Sequence, residues 1–535
     1  FCLTNSEILT LAKWACLIEE HYSKEAKKWL PMDMEWAKDG KTGQLFIVQA
    51  RPETVHTKEK EKYYQEYRIK TKKKPILTGI AVGDKIAQGK VHKILHPSKL
   101  KEFKKGEILV TRMTNPDWVP AMKMAKAIVT DEGGRSCHAS IISRELGIPC
   151  VVGTEKATQL LDNGQEITVD CSEGLKGKIF AGKISFKVKK YNLKKIPKLK
   201  TKIMVNLGAP EIAFKTSFLP VEGVGLAREE FIIGEKIKVH PLALYYYKEI
   251  RNLLPSSKEF RAVAKSEIRN RSQIPSSEIQ RIIKEIDKIT QGYKNKKQYF
   301  IDKLAEGIGA IAAAFYPQKV IVRFSDFKTN EYRQLLGGEL FEPTEDNPML
   351  GWRGASRYYD KKFEPAFALE CQAIKKVREV FGLKNVSVMI PFCRTVEEGE
   401  KVINLMKKYG LKKDKSLKVY VMCEIPSNVI LVNEFLKIFD GLSIGSNDLT
   451  QLTLGIDRDN AHLSQIGNEE NEAVKKMIAQ VIKTCLEKNK YCGICGDAPS
   501  SLPKFAQFLI KNKIPSISLS PDAVMKTIFF LGRYS

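Results

Sequence analysis

The sequence predicts an α/β protein whose residues beyond about 201 form a (β/α)8 barrel, and three observations carry that expectation. First, beyond about residue 201 short apolar runs alternate with helical stretches, the pattern of parallel strands covered by helices. Second, there are eight such runs: Ile203 to Leu207, Gly223 to Ala227, Val320 to Phe324, Val386 to Phe392, Val419 to Ile425, Leu442 to Ile444, Tyr491 to Cys495 and Ile517 to Leu519. Third, several runs end in or within one residue of a residue able to do chemistry, such as Arg323 or Cys495. A barrel of this kind keeps its site at the strands' C-terminal ends.

The chain has 535 residues, enough for about three domains. A hydrophobic content of 43% excludes global disorder, and no apolar run reaches the ~18 to 20 residues of a bilayer span. Eleven cysteines, an odd number without a small-domain spacing pattern, are expected to be reduced thiols in a cytoplasmic setting. The chain opens on Phe1 with no export signal, and is expected to start inside a longer protein.

From the N-terminus, residues 6 to 29 have helical apolar spacing, and Met32 to Trp36 with Leu45 to Val48 read as two strands around Asp39-Gly40. Charged, lysine-rich stretches at 58–75 and 187–201 read as solvated linkers, isolating 76–186 as a tethered unit ahead of the barrel at 202–535. A polar segment near 241–300 reads as a solvated helical insertion in the barrel.

Within the tethered unit, Thr130-Asp131-Glu132-Gly133-Gly134-Arg135-Ser136-Cys137-His138 follows the strand Ala127-Ile128-Val129 and leads into a helix. Two glycines allow close backbone approach, a helix start offers unpaired N–H groups, and neutral imidazole is nucleophilic near pH 7. His138 there suits a phosphoryl acceptor, with Arg135 beside it. In the barrel, Arg228 and Arg323 at strand ends suit phosphate and carboxylate, and Glu424 and Asp448 are hard acids able to hold Mg2+. Arg353 is a third anion-binding candidate or a loop-packing residue. Cys492 and Cys495 form a C-x-x-C without the further ligands that a structural zinc site needs.

Together these segments resemble the PEP-utilising enzymes. The resemblance rests on Asp131 to Pro149 with Val151-Val152-Gly153, Gly223 to Phe231, Arg323 to Tyr332, Asn347 to Gly354 and Gly445 to Thr450. It implies a swivelling phosphohistidine domain at 76–186 with His138 as carrier, and a pyruvate and phosphoenolpyruvate site in the barrel. The residues it assigns to substrate are Arg228, Arg323, Arg353, Glu424, Gly445, Ser446, Asn447 and Asp448. Glu424 and Asp448 would bind Mg2+, and Cys495 would exchange a proton with C3 of the enolate. Asp33 to Ala37 and Leu45 to Pro52 resemble the end of the family's ATP-grasp domain, which makes Glu35, Gln49 and Arg51 nucleotide-binding candidates within 1–57. ATP would engage through an N-terminal lobe that precedes these residues.

The implied reaction belongs to gluconeogenesis and converts ATP, pyruvate and water to AMP, phosphoenolpyruvate and phosphate. A dikinase using phosphate as cosubstrate is the alternative. The resemblance leaves a homodimer open, and Ser136, two residues before His138, keeps a hydroxyl where relatives are regulated. A net charge of +27 raises a nucleic-acid-binding reading, but no RNA- or DNA-binding motif accompanies the scattered lysines, so neither a nucleic-acid nor a membrane partner is expected.

Overall fold

The structure is a computed structural model that describes residues 2–52, 63–69, 71, 73–114, 118–134, 137–172, 176–192, 195–253, 274–456 and 467–533. Its strands in chain order are β1 (Met32–Lys38), β2 (Leu45–Pro52), β3 (Tyr63–Ile69), β4 (Leu77–Val82), β5 (Ile86–Lys93), β6 (Ile108–Thr111), β7 (Ala127–Thr130), β8 (Cys150–Val152), β9 (Glu166–Asp170), β10 (Lys176–Ala181) and β11 (Phe186–Asn192), followed by β12 (Lys202–Leu207), β13 (Gly223–Arg228), β14 (Lys319–Arg323), β15 (Val386–Ile390), β16 (Val419–Cys423), β17 (Gly441–Ile444), β18 (Tyr491–Ile494) and β19 (Ser516–Leu519). The chain forms two compact units, residues 1–65 with 190–195, and residues 66–189 with 196–535.

In the first unit, the helix Asn5–Glu25 starts at a capping box in which Thr4 and Glu7 satisfy each other's backbone donors. Strands β1 and β2 pair antiparallel, with Asp33 opposite Arg51 and Glu35 opposite Gln49. Directly opposed residues share a face, so these four side chains line one exposed side of the hairpin.

The second unit holds two closed barrels. The smaller has strand order β10-β4-β8-β7-β6-β5-β9. Alternation sends Ile108, Val110 and Val129 inward, while Leu109 and Ile128 pack outward against Trp118, Ala121 and Ala139 on the covering helices. Both stretches expected as linkers contain strands, because β3 and β11 pair with each other as a two-stranded sheet, where Tyr67 lies against Phe186. Charge along them does not prevent pairing, since a two-stranded sheet exposes both faces. Residues 53–62 lie outside the described residues.

The larger barrel is the expected eight-stranded parallel one, β12 to β19 in sequential order with β19 closing on β12. All eight predicted runs are strands, and several end one or two residues early, which leaves Phe324, Glu424 and Cys495 just beyond the last ladder position. Side chains alternate inward along each strand, so that Lys319, Ile321 and Arg323 occupy successive levels of the interior. At the lowest level Lys319 donates to the Tyr420 hydroxyl at 2.9 Å and lies over the Tyr420 and Tyr491 rings, and Tyr491 shares a hydrogen bond with Ser516. Above them Leu226, Ile321, Met389 and Met422 fill the middle. The interior is thus closed from below.

The described parts of the 241–300 segment are packed helices rather than a solvated insertion. Helices Pro241–Tyr245, Ser276–Ile289 and Lys296–Ala314 bury Leu242, Leu244, Ile279, Ile282, Ile286 and Phe300, while residues 254–273 lie outside the described residues. The polar count hid an apolar stripe at helical spacing. Among the described residues no helix is long and apolar enough to cross a membrane.

Candidate functional site

His138 is the first residue of the helix His138–Leu146, which runs to a left-handed Gly147. The loop before it leaves β7, whose C-terminal end lies beside that of β6 because Thr111 pairs with Thr130. This register brings Thr114, three residues past β6, to His138. The Thr114 hydroxyl and His138 Nδ1 are 2.9 Å apart, leaving Nε2 as the nitrogen open for bonding. The loop itself is pinned by Asp131, which accepts from the Thr158 backbone N–H at 2.9 Å and from the Thr158 hydroxyl. Gly133 is required in the turn: its φ is 115°, and a Cβ would lie 2.7 Å from Cys137 Sγ. Burial lowers the His138 pKa and the carboxylate of Glu235, on the large barrel, partly opposes it. His138 therefore rests as neutral imidazole near pH 7, the nucleophilic form. Arg135 and Ser136 lie outside the described residues.

At the C-terminal end of the large barrel, the sequence-predicted acids and arginines converge. Arg323 donates to Glu230 at 2.7 Å and lies 3.7 Å from Asp326. Arg353 forms a two-point clamp on Asp326, at 3.1 and 2.6 Å, and also reaches Asp448 at 3.3 Å. Burial opposes the charge on both guanidiniums, but the surrounding carboxylates outweigh it and hold them firmly protonated. Arg228 ends β13 with its Nε buried and without a partner, as is Nε of Arg323. Such buried donors invite an anion, since an unmet donor carries its full desolvation cost.

Glu424, Asp448 and Asp326 form a buried triad whose oxygens lie within 4.8 Å of one another. Burial pushes the Glu424 carboxyl up to about 8, helped by Asp448 and Asp326. Three hard oxygen donors gathered so closely that they raise one another's proton affinity fit Mg2+, which would relieve that repulsion. Glu424 accepts the Phe392 N–H at 2.6 Å. Phe392 holds φ at 44°, a left-handed value unusual for an aromatic residue, which aims that N–H at the acid. Gly445 has no room for a side chain, because a Cβ would sit 2.8 Å from Glu424 Oε2. Ser446 Oγ is buried without a partner, and Asn447 exchanges two hydrogen bonds with Asp497, tying the helix start after β17 to the turn after β18.

Cys495, just past β18, is buried, and its Sγ accepts from the Ser443 hydroxyl at 3.4 Å. Burial pushes the thiol pKa up, so it rests protonated. The C-x-x-C is not a pair: a spacing of three puts Cys492 on the opposite face of the strand, where Cys485 is its hydrogen-bonding neighbour. All eleven cysteines are free. Behind the arginines, Glu229 and Glu370 are both fully buried. Glu370 accepts from the Ser325 hydroxyl at 2.6 Å and the Ser325 N–H at 3.2 Å. Burial first, then Glu370, hold Glu229 well above the carboxyl range, so it carries a proton.

Glu35, Gln49 and Arg51 lie on the exposed face of the hairpin in the first unit, where Arg51 donates to Asp33 at 3.0 Å. Sequence reading missed Thr114, Glu230 and Asp326. Glu230 and Asp326 lie inside the motifs already singled out, two and three residues after Arg228 and Arg323. Nothing local marks Thr114.

Comparison with known proteins agrees with this geometry. Residues 185–531 match the PEP-utilising enzyme, PEP-binding domain; residues 103–174 match the PEP-utilising enzyme, mobile domain; and residues 1–71 match the pyruvate phosphate dikinase, AMP/ATP-binding domain. The phosphoenolpyruvate synthase of Aquifex aeolicus is 54% identical over 99% of this chain and 64% of its own length. Those of Synechocystis sp. and Escherichia coli are 50% and 46% identical over all of this chain, with 62% and 63% of their own lengths covered. The chain thus spans under two thirds of the length of these relatives. With one family model covering the large barrel, a second the smaller one, and close relatives along the whole chain, the chain belongs to the PEP-utilising enzymes.

Proposed function

We propose that the chain holds the phosphoryl carrier and the pyruvate site of an enzyme that converts ATP, pyruvate and water to AMP, phosphoenolpyruvate and phosphate. The observation that carries this reading is one pairing within a single compact unit. A neutral, half-buried histidine with Nδ1 engaged is joined to a barrel whose C-terminal end gathers two arginines with unmet donors, an acid triad and a protonated thiol. The relatives named above, all phosphoenolpyruvate synthases, favour water over phosphate as cosubstrate.

In the direction that consumes phosphoenolpyruvate, His138 Nε2 attacks phosphorus; the N–P bond forms and the bond to the enol oxygen breaks, leaving an enolate. Arg228 and Arg323 hold the phosphoryl and carboxylate oxygens. Cys495 then gives its proton to C3 of the enolate, forming pyruvate, and regains one from solvent. Asp326, Glu424 and Asp448 would hold Mg2+, which supplies charge neutralisation for the enolate and phosphoryl oxygens. On the hairpin, Glu35, Gln49 and Arg51 would contribute the nucleotide-binding contacts.

Incubation with labelled phosphoenolpyruvate and Mg2+ should give an acid-labile, base-stable phosphoprotein that His138→Ala abolishes. Equal labelling of that variant overturns the assignment.

A further inference from the structure

Arg353 differs from the two other site arginines in having no donor to spare. A guanidinium has five N–H hydrogens. In Arg353, Nε and one Nη2 hydrogen go to Asp326, the second Nη2 hydrogen to Asp448, and Nη1 to the Met349 carbonyl at 3.4 Å and its sulfur at 2.9 Å. The group is nearly fully buried, with its central carbon 4.1 Å from the centre of the Phe392 ring. It is also the cation that touches two of the three acids of the triad at once.

We propose that Arg353 is the built-in counter-cation of the acid triad, which it neutralises until a divalent cation takes the acids. The 3.3 Å bond to Asp448 is the longer and weaker of its two contacts with the triad, and it is the one given up. The Asp326 clamp at 2.6 and 3.1 Å keeps the guanidinium in place while one Nη2 hydrogen becomes available to a substrate oxygen. Cation and anionic substrate are then linked: each favours the arrangement of Arg353 that suits the other, and the linkage is reciprocal. In this account Arg353 is a substrate-binding residue whose offer is conditional, whereas the buried Nε of Arg228 and of Arg323 are open from the start.

The inference rests on the triad being the cation site of the proposed reaction, so the test separates the two. Mn2+ is titrated calorimetrically into the full chain at pH 8, without and then with phosphoenolpyruvate, for the wild type and for Arg353→Gln, Arg353→Lys and Glu424→Gln. Glu424→Gln should weaken Mn2+ binding; if it does not, the cation-site reading falls, and the inference with it. If it does, Arg353→Gln should bind Mn2+ about tenfold more tightly than wild type without substrate, because a unit positive charge no longer competes for the same oxygens. The same variant should lose most of the tightening that phosphoenolpyruvate gives the wild type. Arg353→Lys, which retains the charge but cannot bridge two acids, should fall between, and it decides the matter if the Gln variant does not fold. A purely structural arginine would leave Mn2+ affinity unchanged or lower it on removal. Mn2+ binding no tighter than wild type in the folded variants, while Glu424→Gln still weakens it, overturns the inference alone.

Discussion

Replacing Glu229 with Gln should stabilise the large barrel by an amount that grows with pH. Glu229 is fully buried beside Glu370, and its carboxyl is held well above the 4.5 of an exposed glutamate, first by burial and then by that neighbour. A carboxyl whose folded pKa exceeds its unfolded one contributes its full stability below the unfolded value and loses it as pH rises toward and through the folded value. Between those limits the unfolded chain has released one proton that the folded chain keeps. While the folded chain keeps that proton, stability falls by about 1.4 kcal/mol per pH unit on account of this residue. Gln has the same shape and does not ionise. From pH 6 to pH 8 the variant should thus gain about 2.7 kcal/mol relative to wild type. A barrel of roughly 330 residues at about 2.1 cal/mol/K per residue has an unfolding entropy of about 0.7 kcal/mol/K. The difference in Tm between the two proteins should accordingly widen by about 4 °C. Thermal scans of both proteins at fixed ionic strength across that range measure it, and the comparison cancels the titrating groups remote from Glu229 and Glu370. A Tm difference that stays constant from pH 6 to pH 8 would refute the protonated state of Glu229.

Thr114→Val removes the hydroxyl that orients the imidazole and should slow labelling of His138 by phosphoenolpyruvate about tenfold, with Tm unchanged within a few degrees. Cys495→Ala should abolish exchange of pyruvate methyl protons with solvent while phosphoenolpyruvate still binds; exchange at the wild-type rate would assign the proton to another group. Gly445→Ala puts a methyl 2.8 Å from Glu424 Oε2 and should weaken Mn2+ binding about tenfold or more by displacing that acid. Arg357→Met leaves the buried Glu342 without its two-point partner, whose bonds are 2.6 and 2.7 Å, and should cost about 3 to 5 kcal/mol in the barrel's unfolding.

The barrel was legible because its strands are buried on both faces and read as short Val- and Ile-rich runs, which no surface element imitates. The site was legible where chemistry sits on a strand end, as with Arg323, Glu424 and Cys495. What escaped is held by pairs distant in sequence. Thr114 reaches His138 across 24 residues through the register of β6 and β7, and Glu370 reaches Ser325 across 45. The lysine-rich stretches concealed β3 and β11 for a related reason: pairing is a property of two segments, and each alone looks solvated. The C-x-x-C misleads in the opposite way, because a motif read as adjacency becomes opposition once the segment is extended.

The packed tyrosines and Lys319 at the base of the large barrel have a kinetic consequence. With that end sealed, whatever reacts at the opposite end has a single doorway for arrival and departure. A carrier histidine visiting that doorway is a plug as well as a reagent. Under the proposed chemistry, pyruvate and the visiting imidazole queue for one opening: the small molecule must be seated before the carrier arrives and cannot leave until it withdraws. Turnover would then be paced by traffic through the doorway, and any agent that lengthens the carrier's stay would slow product release without touching a bond-making step.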